Sequence, residues 1–177
     1  MNAVTRAGRD DSLAANFEVL YRHYACDHDQ MATEELESQC WFVAIQGNCP
    51  KIAQILAHYS ASVDRPLSDN AGPPLVHSIA FDRVDIAKCL LSSSCNANAT
   101  NKACKDSALH VAVRHHKIEL VHLLLEHGAD AIGVFNRQGD NALLEACFRA
   151  RDPACRLDVL YLIVRKSPLL WELLTRE

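Results

Sequence analysis

KDSALHVAVRHHKIELVHLLLEHGAD, from Lys105 to Asp130, holds five of the chain's nine histidines, with Glu119, Glu126 and Asp130 beside them. Imidazoles and carboxylates gathered in this way are the material of zinc sites and of general acid–base catalysis. The apolar residues of the stretch point elsewhere. Leu109 and Ala112, then Leu120, Leu123 and Leu124, recur at intervals of three and four, which is the mark of two short amphipathic helices with a turn between them. Histidines strung along such a hairpin do not converge on one point, as metal ligands must.

The same pattern returns along the chain. Trp41, Leu75, Leu109 and Leu143 are evenly spaced, and at the third position after each comes a small residue: Ala44, Ser78, Ala112 and Ala146. Eight further on come Ile52, Ile86 and Leu120, followed by Ile55-Leu56, Cys89-Leu90 and Leu123-Leu124. A fixed period of a few tens of residues denotes stacked units that bury their faces only against one another. Between the two helices of each unit stands Asn48, Asp82, His116 or Ala150, where the chain must reverse through a left-handed conformation. Asn and Asp tolerate that conformation well, and Ala does so poorly. In the fourth unit Val159 lies further beyond Ala146 than its counterparts lie beyond theirs, so the sequence predicts an irregular, longer inter-helix loop in ARDPACR.

The units resemble the ankyrin repeat. The third matches through Leu109, His110, Ala112 and the closing Gly128-Ala129-Asp130, whereas the family's TPLH position reads QCWF, PPLV, SALH and NALL in the four units. Only Ser107 and His110 match the side chains that tie a helix start to its neighbour in that family. The resemblance implies an all-α solenoid of about four helix-turn-helix repeats, at 38–66, 67–100, 101–134 and 135–166. Capping helices are expected at both ends, because terminal units have no neighbour to cover them. In the acidic segment 1–37, DSLAANFEVLYRHYA places Leu13, Phe17, Leu20 and Tyr24 on one side of a helix; in 167–177, SPLLWELL opens with a Ser167 cap and Pro168.

Composition narrows the function. With 49% hydrophobic and 23% charged residues the chain is an ordinary globular domain. MNAVTRAGRDDSL has no apolar run suited to a signal peptide and VLYLIV is too short to span a bilayer, so a cytoplasmic location, extending to the nucleus, is expected and no membrane partner. Eight cysteines without any CxxC read as free thiols and not as a zinc site. The net charge of −4 leaves no basic stripe for nucleic acid. No nucleophile elbow, phosphate loop, HExxH or kinase motif occurs, so the expectation is a protein without catalytic residues, metal or cofactor.

What remains is binding. In the ankyrin family the concave surface is built from the long turns before each unit and the ends of the first helices. On this chain the resemblance assigns Leu67, Asp69 and Asn70 with Phe81 to partner contact in unit two. Unit three supplies Asn101, Cys104 and Asp106 with Arg114 and His115, and unit four Phe135, Arg137, Gln138 and Asp140 with Phe148 and Arg149. Phenylalanine and arginine are what interface hot spots favour. Small free-standing ankyrin proteins include inhibitors of cyclin-dependent kinases, short inhibitors of Rel-type transcription factors and an ankyrin subunit of a kinase complex. The resemblance therefore implies an adaptor or regulatory subunit of a protein kinase, within a hetero-complex. An inhibitor of a Rel-type transcription factor, or another ankyrin-type scaffold, is the alternative.

Overall fold

A computed structural model describes the backbone of residues 11–27, 30–59, 63–68, 71–149 and 153–167, and the side chains of 15–23, 34–59, 63–68, 71–148 and 157–167. Its helices are α1 (Asp11–Asp27), α2 (Gln30–Gln46), α3 (Pro50–Tyr59), α4 (Pro74–Ala80), α5 (Val84–Ser92), α6 (Ala108–Arg114), α7 (Ile118–Glu126), α8 (Ala142–Arg149) and α9 (Pro153–Lys166). Two rows result. An inner row packs α2 on α4, α4 on α6 and α6 on α8; an outer row packs α3 on α5, α5 on α7 and α7 on α9. The fold is the all-α repeat solenoid that the period implies.

The periodic columns are its core. Trp41, Leu75 and Leu109 are 2%, 1% and 0% exposed, and Ala44, Ser78, Ala112 and Ala146 are fully buried where inner and outer helices meet. A hydroxyl in that column needs a partner, and the Ser78 Oγ donates to the Leu75 carbonyl at 2.8 Å. In the outer row Ile52, Ile86 and Leu120, then Leu56, Leu90 and Leu124, are buried in the same way.

The three described inter-helix turns share one bonding pattern. Asn48, Asp82 and His116 have φ of 52°, 58° and 53°, as the column predicts. The next residue's N–H reaches back to the small residue of the inner helix: Cys49 to Ala44 at 2.9 Å, Arg83 to Ser78 at 2.8 Å, Lys117 to Ala112 at 2.9 Å. These bonds close the last turn of each inner helix and satisfy its free carbonyls.

Helix starts differ between units, as the degenerate TPLH positions imply. Ser107 caps α6, with the His110 side chain completing a reciprocal box, Asn141 Oδ1 accepts from the Leu144 N–H at the start of α8, and Pro74 occupies the first turn of α4. Unit one has no such stop. Its serine, Ser38, donates to the Glu34 carbonyl inside the helix, and α2 runs unbroken through the expected 37/38 boundary.

The longer loop expected in ARDPACR is also revised. Pro153 already opens α9 within the expected loop, residues 150–152 lying outside the described residues, and α9 has 14 residues where α5 and α7 have nine. Proline pre-sets the dihedral of a first helical position, which is why the helix begins there. At the N-terminal end α1 packs on α3 through Phe17 and Tyr21; the Tyr21 hydroxyl donates to Glu37 at 2.8 Å and the Tyr59 hydroxyl to Glu18 at 2.7 Å. Leu20, expected on the inward side, is 70% exposed, because Tyr21 takes the inward position. The side chains of Leu13 and Tyr24, and the expected C-terminal helix beyond Ser167, lie outside the described residues.

Candidate partner-binding face

The turns that precede α6 and α8 form stacked fingers. Asn101 N–H donates to the Asp106 carbonyl at 2.9 Å, Asn136 N–H to the Asp140 carbonyl at 2.9 Å, and Arg137 N–H crosses to the Cys104 carbonyl at 2.8 Å, fixing one finger on the other. The positive φ of Lys105 (57°) and Gly139 (83°) closes each tip. His110 ties the fingers to the helices. Fully buried, it accepts the Ser107 N–H on Nδ1 at 3.3 Å, which leaves its proton on Nε2 to donate to the Asp140 carbonyl at 3.0 Å.

The expected contact residues divide around this frame. Phe81, Phe135 and Phe148 are 41%, 52% and 78% exposed, and His115, Arg137 and Gln138 are exposed as well. Leu67, Asn101, Cys104 and Asp140 are half-buried; the Asn101 Oδ1 accepts from the Ala103 N–H at 2.7 Å and so shapes its own turn. Asp69 and Asn70, and the side chain of Arg149, lie outside the described residues.

Asp106 and Arg114 belong to an internal ion-pair cluster. Asp106 is 4% exposed and Arg114 grips both its oxygens at 2.7 and 3.1 Å, while the same guanidinium donates to Glu145 at 2.7 Å. Glu145, 1% exposed, comes from α8, so the cluster bolts unit three to unit four. Burial would raise the Asp106 carboxyl, but hydrogen bonds from Arg114 and Cys104 outweigh it and hold it below its ordinary range. The two carboxylate bonds hold the Arg114 proton tighter still. Both carboxylates are engaged by Arg114, whose side chain keeps a third of its surface in water. Burial pushes the Cys104 thiol up, away from nucleophilic character.

Sequence alone did not reveal one aromatic neighbour of Phe81, His77, and the Phe42 ring behind it. The His77 ring lies 4.8 Å from Phe81 and 5.3 Å from Phe42, which extends the aromatic surface to unit one. Burial among these rings lowers the His77 pKa. A signal existed: Phe42 and His77 both fall on the inner-helix face just after the Trp41 and Leu75 column. The other histidines of the Lys105–Asp130 stretch are dispersed, His116 at its turn, His122 beside Glu126 at 3.4 Å, and His127 on the Leu123 carbonyl. Among the described residues no three His, Cys, Asp or Glu converge as a metal site would need.

A family model for ankyrin repeats, in three copies, matches residues 75–166. The chain belongs to the ankyrin-repeat family. Among solved structures it is similar to the ankyrin repeat domain of Bcl-3, described as a unique member of the IkappaB protein family, with 26% identity and a TM-score of 0.60 over 70% of this chain. It spans half (50%) of that ankyrin domain's length. Ankyrin repeats make the chain a protein–protein interaction module. No helix among the described residues is long and apolar enough to cross a membrane.

Proposed function

We propose that this ankyrin protein is a non-catalytic adaptor or regulatory subunit that binds a protein kinase through its concave face, in the cytoplasm or nucleus. The observation that carries binding is the exposure of Phe81, Phe135 and Phe148 beside a frame whose polar groups are bonded internally. Large aromatic side chains left in water are unfavourable for a free surface and are the usual anchors of an interface. His115, Arg137, Gln138 and the Phe42–His77–Phe81 rings extend that surface, and Arg149 is assigned to it by its position in the repeat. Support for a kinase comes from the resemblance to the ankyrin family, some of whose members, the cyclin-dependent kinase inhibitors and Plutonium, the ankyrin subunit of the PAN GU kinase complex, act on kinases.

A second reading, an inhibitor of Rel-type transcription factors, is favoured by the similarity to the ankyrin domain of Bcl-3. Cross-linking the protein to its partner in native cells, with the cross-linked chain identified by mass spectrometry, separates the two. A kinase catalytic chain is the expected product, and a Rel-type protein would replace the first reading by the second. With that partner in hand, Phe148→Ala or Phe81→Ala is expected to weaken the complex by about 2 kcal/mol or more, leaving the thermal melt almost unchanged. Full binding with a lowered melt would mean that these rings pack inward instead.

A further inference from the structure

Among the described residues the exposed serines are Ser68, Ser92 and Ser94, and no threonine is exposed. Their surroundings differ. Ser92 ends α5 and its Oγ donates to the Lys88 carbonyl at 2.8 Å, while Ser94 is held in the left-handed region at φ 61°. Ser68 stands on the irregular finger that precedes α4, where the Leu67 N–H donates to the Gly72 carbonyl at 3.2 Å and the Ser68 Oγ accepts the Ala71 N–H at 3.1 Å. A hydroxyl offered to a modifying enzyme must lie in a segment that can be drawn into its cleft, and a surface turn yields where a helix end packed in the stack does not.

The residues around it are RPLSD, Arg65 to Asp69. An arginine three positions before a serine is a charge pattern that protein kinases with an acidic substrate groove select. Cys89 and Leu91 hold the corresponding positions before Ser92 and Ser94; Ser12 shares the pattern through Arg9, but its side chain lies outside the described residues. Arg65 reaches the Glu34 carboxylate at 2.7 Å, yet the two side chains are 42% and 35% exposed, so the guanidinium is released at small cost.

We infer that Ser68 is a phosphorylation site for a protein kinase that selects basic residues, and that the phosphoserine draws Arg65 away from Glu34. In the transfer the Ser68 Oγ attacks the γ-phosphorus of ATP: an Oγ–P bond replaces the bond to the β-phosphate oxygen, ADP leaves, and the hydroxyl proton passes to the catalytic aspartate of the kinase. The new group carries roughly −1.5 to −2 charges at pH 7. Ser68 borders the same gap as Ser38 and Gln39 of α2, and Glu34 and Glu35 precede these two by one helical turn, so the phosphate faces like charge from that helix. Arg65 is the one Lys or Arg of residues 63–68, and it can meet a phosphate through two parallel hydrogen bonds. The site holds whichever partner the module binds, and it places a switchable charge beside Leu67.

The test incubates the full chain with ATP and the multifunctional calcium/calmodulin-dependent protein kinase, and maps phosphate by peptide mass spectrometry. Ser68 is expected to be modified and Ser92 and Ser94 to stay free of phosphate. Arg65→Gln is expected to slow incorporation at Ser68 by at least about tenfold, with circular dichroism unchanged. The pairing has a separate readout. In phosphorus NMR the resonance missing from Ser68→Ala should titrate at lower pH in the natural protein than in Arg65→Gln, because a nearby guanidinium favours the dianion. No phosphate on Ser68, or equal rates for the natural protein and Arg65→Gln, would overturn the site. Equal titration curves would overturn the transfer of Arg65 from Glu34 to the phosphate.

Discussion

Removing the Arg114 guanidinium would strand two carboxylates, Asp106 and Glu145, at 4% and 1% exposure. Loss of one partner from a buried ion pair costs about 3–5 kcal/mol, and since Arg114 keeps a third of its side-chain surface in water a smaller loss, about 2–3 kcal/mol, is expected for Arg114→Ala. The pH dependence has a definite sign. The folded Asp106 carboxyl titrates below its ordinary 3.8, so its contribution is complete above that value and is lost as pH falls through the lower folded one. The gap in melting temperature between the natural protein and Asp106→Asn should thus be widest near neutrality and narrow below about pH 4. A gap that stays constant into strong acid would show that the carboxylate charge plays no part. This pairing was hard to read from sequence, because Arg114 and Asp106 occupy positions that the repeat leaves free. The legible trace was Glu145, the one acid in a column whose other members are Val43, His77 and Val111.

At the scale of elements, identical residue types act differently according to where a helix begins. Ser107 accepts the His110 N–H and hydrogen-bonds the His110 ring at 2.8 Å, so Ser107→Ala is expected to cost about 1–2 kcal/mol. Ser38 lies inside α2 and bonds to its own helix, and Ser38→Ala should change stability by less than about 0.5 kcal/mol. Urea midpoints at unchanged slope read both; equal losses would mean that a helix start does exist at Ser38. The turns were legible because a left-handed residue leaves a strong preference in the sequence, and Asn48, Asp82 and His116 carry it. The start of α9 was not. The added spacing between Ala146 and Val159 can be spent in a loop or in extra helix, and spacing alone does not separate these; Pro153, suited to a first helical turn, was the residue that could have.

For the whole molecule the period is what made the fold readable, since the phased column of Trp41, Leu75, Leu109 and Leu143 leaves little freedom in how the units stack. The face was readable only in part. Phe81, Phe135 and Phe148 stand out from positions that a stack does not need, whereas the His77 ring between Phe42 and Phe81 joins helices of two units, which no local pattern encodes. Leu109→Ala and Leu124→Ala, both at 0% exposure, should each destabilise by about 2–5 kcal/mol, and His122→Ala, nearly half exposed, by less than about 1 kcal/mol. Similar losses for all three in chemical denaturation would refute the assignment of the columns. Trp41 gives the stack an optical consequence. It is one of two tryptophans in the chain and lies 2% exposed in the core of unit one, so in a Trp171→Phe background its emission reports that unit alone, while circular dichroism sums every helix. A terminal unit has fewer neighbours to hold it, and the emission is expected to shift to the red at a lower urea concentration than the dichroism midpoint; coincident curves would instead show a stack that melts as one body, and the indole would then serve as a thermometer for the whole chain.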